Sequence, residues 1–127
     1  MLRRLCLAFC LIVSPASAAE WSVADLGRLH SEQHCLQASS QTFRSLLAEA
    51  RITHLYASEW ATFADGIGGD HDALITCTRS GSHGARATLV MHAQTRTARG
   101  MFLRNRIVEI FDQQAHAITQ AWRDSFN

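Results

Sequence analysis

Two cysteines 42 positions apart, Cys35 and Cys77, constrain the fold of this chain most, because the start of the sequence decides whether they are thiols or a crosslink. Arg3 and Arg4 precede the apolar run Leu5 to Val13, and Pro15-Ala16-Ser17-Ala18 follows. Positive charge, a short apolar core and an Ala-x-Ala site, in that order, mark residues 1–18 as a cleaved secretory signal peptide. The cut falls after Ala18, or one residue later after Ala19. The apolar run is well short of the roughly 20 residues that span a bilayer as a helix, so no permanent membrane anchor is expected. Phe9 is too bulky to precede a lipid-modified Cys10. Cleavage discards Cys6 and Cys10 and delivers the remaining pair to an oxidising compartment, the periplasm or the exterior, where a Cys35–Cys77 disulfide is expected. Such a bridge closes a loop of about 43 residues, for which the chain-entropy estimate is about 4 kcal/mol. A whole small domain is stabilised by as little as about 5 kcal/mol.

Charge removes several classes of function. All twelve basic residues are arginines, and two of them leave with the signal, so residues 19–127 carry ten against eleven acids. A nearly neutral domain has no electrostatic footprint for nucleic acid or for an anionic membrane. Without lysine there is no Schiff-base or P-loop chemistry.

The periodicity changes twice along the chain. Ser22-Val23-Ala24-Asp25 matches a helix N-cap with its capping acid, and Val23, Leu26 and Leu29 follow at helical spacing. From Glu32 to Ala50, Leu36, Phe43, Leu46, Leu47 and Ala50 continue an amphipathic helix, with Cys35 near its buried stripe and a break at Ser39-Ser40-Gln41-Thr42. Glu59 to Ala64 is a short strand, closed by the loop Asp65-Gly66-Ile67-Gly68-Gly69-Asp70. Two alternating runs then flank Ser80-Gly81-Ser82-His83-Gly84 and form a hairpin with Ile75, Cys77, Leu89 and Met91 on one buried face. The helical period returns from about Thr97 to Ser125, with Leu103, Ile107, Ile110, Phe111, Ala115, Ile118, Ala121 and Trp122 on one stripe; Gly100 suggests a late start. The expected fold is therefore a single two-layer α+β domain over residues 19–127. Its small antiparallel sheet of two to three strands is flanked by an N-terminal and a long C-terminal helix and stapled by one disulfide.

No catalytic set assembles in the sequence. The first histidine of His30-Ser31-Glu32-Gln33-His34 is followed by serine where a zincin needs glutamate. As an i, i+4 pair on a helix, His30 and His34 still supply two metal ligands, with a third to come from His71, His83, Asp70 or Asp72. The glycines at 66, 68 and 69 lack the third glycine and following helix of a dinucleotide fingerprint, and read as a turn needing positive φ. Asp70-His71-Asp72 lacks the ligand spacing of an EF-hand. Ser80, Ser82 and His83 form no nucleophile elbow, and oxidised cysteines leave no thiol nucleophile. Trp60 and Trp122 read as core. The sequence thus predicts a small exported module without catalysis or cofactor that works by binding another exported protein. The second reading is a metal-binding protein built on His30 and His34.

Overall fold

The computed structural model describes residues 19–94 and 97–127; the expected signal segment, with Cys6, Cys10 and the cut after Ala18, lies outside the described residues. The chain runs β1 (Glu20–Leu29), α1 (Glu32–Leu46), β2 (His54–Ala57), β3 (Ala61–Ile67), β4 (His71–Ser80), β5 (Gly84–Ala93) and α2 (Ala98–Asp124). The strands form one antiparallel sheet in the order β1-β5-β4-β3-β2. The class is α+β, but the sheet has five strands where two to three were expected.

The first extra strand is β1, which replaces the expected opening helix. Ser22, Ala24 and Leu26 point to the side of the core while Trp21, Val23 and Asp25 point away, a plain strand alternation. Between Asp25 and Gly27 the register with β5 slips by one residue, which puts Leu29 back on the core side. That bulge creates the false period of three at Val23, Leu26 and Leu29. Gly27 takes φ +90°, a conformation that costs side-chain-bearing residues energy, and its N–H donates to Asp25 Oδ1 at 2.9 Å. The carboxylate read as a helix cap closes the bulge. The second extra strand, β2, is a four-residue edge strand paired to β3, too short for periodicity to show.

Because β1 and β2 lie at opposite edges, α1 must carry the chain across the sheet, and it contacts β1, β3, β4 and β5 on the way. Ser31 is its N-cap, accepting from the His34 N–H. No break occurs at the polar patch: the Ser39 and Thr42 hydroxyls donate to the carbonyls of Cys35 and Ala38, both at 2.7 Å, so these fully buried groups are satisfied within the helix. The helix ends at Leu46, one turn before the expected Ala50. Strands β2 to β5 then return as a meander, and the expected hairpin is β4–β5, with Ile75 opposite Leu89 and Ala73 opposite Met91. The α2 helix starts at Ala98, ahead of Gly100, and lays Leu103, Ile107, Ile110, Phe111 and Ile118 into the core beside α1. Trp122 is only half-buried and Ala121 is exposed.

Both helices cover the same face of the sheet, and the disulfide crosses that interface. Cys35 of α1 and Cys77 of β4 are bonded, with Cα atoms 5.9 Å apart. Phe43, Leu46, Ile75, Leu89, Ile107 and Phe111 belong to the same core as the two cysteines, each at most 1% exposed.

Replacing both cysteines by alanine should lower the unfolding free energy by about 4 kcal/mol, read as a shift of the urea midpoint; an unchanged midpoint would show that the link restrains nothing. At the bulge, Gly27→Ala meets no atom within 4 Å of the added Cβ, so its cost should be backbone strain alone, about 1–2 kcal/mol, in the same urea titration.

Candidate functional site

With both helices on one face, the opposite face of the sheet is uncovered by any other element of the described chain. A continuous cross-strand row occupies it. Val23 pairs with Val90, Val90 with Leu74, Leu74 with Phe63 and Phe63 with Tyr56, one residue from each of the five strands. At the usual strand separation the row is about 19 Å long. Tyr56 stacks on Phe63 with ring centroids 5.2 Å apart, and Trp60, from the β2–β3 turn, meets Phe63 edge-on at 6.2 Å. Trp21 leans over His92 at 4.6 Å on the neighbouring row. Val23, Tyr56 and Trp60 are between 50 and 62% exposed, and Trp21 reaches 69%. Trp60 is therefore a surface residue, contrary to its reading as core. The Ser58 hydroxyl holds its turn by accepting from the N–H groups of Trp60 and Ala61.

Polar pairs border the row on both sides. Arg86 donates to both carboxylate oxygens of Asp25, and together with the Gly27 N–H it holds the Asp25 carboxyl below its ordinary value. On the other side Asp72 accepts from the Gly66 N–H and faces His92 at 3.7 Å. The Tyr56 hydroxyl donates to Asp65 at 2.7 Å, and that carboxylate pushes the phenol pKa up. An apolar, aromatic centre with a polar border is the anatomy of a protein–protein interface.

His30 and His34 lie elsewhere, near the far end of α2. Helix α1 begins at Glu32, so His30 sits in the preceding bend, outside the helix, and the two rings are 6.1 Å apart between centroids. His30 rests against Trp122 at 3.8 Å. Among the described residues no three His, Cys, Asp or Glu side chains gather as a metal site, and neither His71 nor His83 joins the pair. Ser31, which spoiled the zincin motif, is there as the helix cap.

Comparison with family models, with curated proteins and with solved structures finds no match to this chain, so function rests on the geometry alone. Sequence reading missed the outer row, although one signal was present. Ala73-Leu74-Ile75 and Leu89-Val90-Met91 are apolar on both faces of their strands, where a sheet with one wet face alternates cleanly.

The Asp25–Arg86 pair gives a pH signature. A carboxyl whose folded pKa is lowered contributes stability above its ordinary value of 3.8 and loses it as pH falls through the lower folded value. Asp25→Asn should therefore be less stable than the parent chain at neutral pH and converge with it under acid. Urea unfolding at the two pH values checks this, and a difference independent of pH contradicts it.

Proposed function

We propose that this chain is a small exported protein, without catalysis of its own, that binds another exported protein through the outer face of its sheet. The observation that carries the reading is the five-strand apolar row with Trp21, Tyr56 and Trp60 exposed along it. Its residues are costly to leave in water, roughly 25 cal/mol per Å². Tryptophan and tyrosine are also the side chains that most often anchor a protein interface. The helices already fill the other face, so nothing in the described chain is left to cover this one. A nearly neutral domain with charges paired at the border suits a partner recognised by shape and apolar contact more than by long-range steering. Export is supported by the signal-like start and by the Cys35–Cys77 disulfide, which suits an oxidising compartment.

The test is affinity chromatography of extracellular or periplasmic fractions on the oxidised chain, followed by titration of whatever purified protein is retained. Trp60→Ala and Tyr56→Ala should each weaken the reconstituted complex about 5- to 30-fold, equivalent to about 1–2 kcal/mol. Phe102→Ala, at an exposed position on α2, should leave it unchanged. A complex indifferent to the sheet variants overturns the reading. So does a row occupied by a second copy of this chain, seen as a dimer in sedimentation that Trp60→Ala dissociates.

A further inference from the structure

A concave feature lies on the other side of the sheet. Where the first turn of α2 passes over the ends of β1, β4 and β5, a cavity of about 560 Å³ opens between helix and sheet. That is within the usual range for small-molecule sites, about 300–1,000 Å³. We propose that it binds a small amphipathic hydroxy acid: the carboxylate at Arg104 and the start of α2, the hydroxyl on His71, the alkyl body against the methionines.

His71 carries the argument. It lines the cavity and is 1% exposed, yet its Nε2 has no hydrogen-bond partner among the described residues. Its Nδ1 lies 2.7 Å from Asp70 Oδ1. Nδ1 is thereby occupied, and Nε2 is left to accept in a neutral ring or to donate in a charged one. A buried polar atom without a partner is rare in folded proteins and calls for an explanation. A ligand hydroxyl, which can both donate and accept, supplies the missing partner. Nε2 lies close to Gly100, where a built Cβ would stand 3.1 Å from it and crowd it.

The rest of the lining fits the remainder of such a molecule. Arg104 donates one bond to the Val23 carbonyl at 3.3 Å, which fixes its guanidinium at the cavity with further donors unused. The start of α2 adds partial positive charge. Its first turn contains no acid, and the Thr97 side chain makes no capping bond. Among the described residues, the other charges near the site are Asp70, already paired with His71, Glu20 in the lining, and Arg99, which reaches over Gly68. Met91 and Ala93 form an apolar floor, and Met101, 69% exposed, forms an adaptable lip.

The probe is 3-hydroxydecanoate, titrated by calorimetry into the oxidised chain, with decanoate and 1-decanol as comparisons. Saturable binding is expected for the hydroxy acid, with at least about tenfold weaker binding of decanoate, which leaves Nε2 unpaired, and of decanol, which leaves Arg104 unpaired. Gly100→Ala favours the helix but crowds Nε2, so it should fold and lose the hydroxy acid about tenfold or more; Arg104→Gln should do the same. His71→Gln, which keeps an acceptor, should bind better than His71→Leu. No saturable binding to the parent chain, equal affinity for the three probes, or undiminished binding by Gly100→Ala and Arg104→Gln would each overturn the proposal.

Discussion

The Cys35–Cys77 bond is the constraint on which the rest of the arrangement depends. It joins the middle of the sheet to the helix that crosses it, inside the buried core. A chain of this size buries only about two-thirds of the surface its unfolded form exposes, so a link that shrinks the unfolded ensemble is a large part of its margin. The link also fixes which face of the sheet α1 covers. Helix α2 packs beside α1 on that face, and the Arg106 guanidinium ties the two together by bonding Glu49 just beyond α1 while pairing with Glu109 on its own helix. Those bonds hold the Glu49 carboxyl below its usual value and push the guanidinium pKa up.

From that one-sided layering come both surfaces to which function is assigned. The covered face fills with Phe43, Ile75, Leu89 and Phe111, while space remains beside His71 at the start of α2. The uncovered face keeps a row of apolar side chains that the chain's own elements do not reach. A strand that is apolar on both sides, as at Leu74 and Val90, is consistent with a sheet closed by helices on one side and by a second protein on the other.

How much of this was legible in the sequence depended on the length and regularity of each element. The α2 stripe and the β4–β5 hairpin were readable because 27 and 20 residues, respectively, repeat one period without interruption. The disulfide was readable because the signal-like start fixed the redox context. β1 was misread because a bulge at Gly27 shifts its side chains by one and imitates a helical spacing. β2 was missed because four residues at an edge carry too little pattern. The predicted break in α1 rested on counting Ser39 and Thr42 as polar, whereas their hydroxyls bond the helix's own carbonyls. The cavity beside His71 was not legible: Asp70 is its neighbour in sequence, but Gly100 and Arg104 come to it only when α2 packs on the sheet, and the sequence pointed instead to His30 and His34.

One face of the sheet is covered by the disulfide-linked helix layer, and the other is covered by no element of the described chain. Hydroxyl-radical footprinting of the isolated chain, before and after reduction, reads this arrangement residue by residue. The prediction is strong labelling of Trp21, Tyr56 and Trp60 and protection of Phe43 and Phe111 in the oxidised chain, with that protection falling once the Cys35–Cys77 bond is reduced. Protection of Trp60 and Tyr56 equal to that of Phe43, or a core unaffected by reduction, would contradict it.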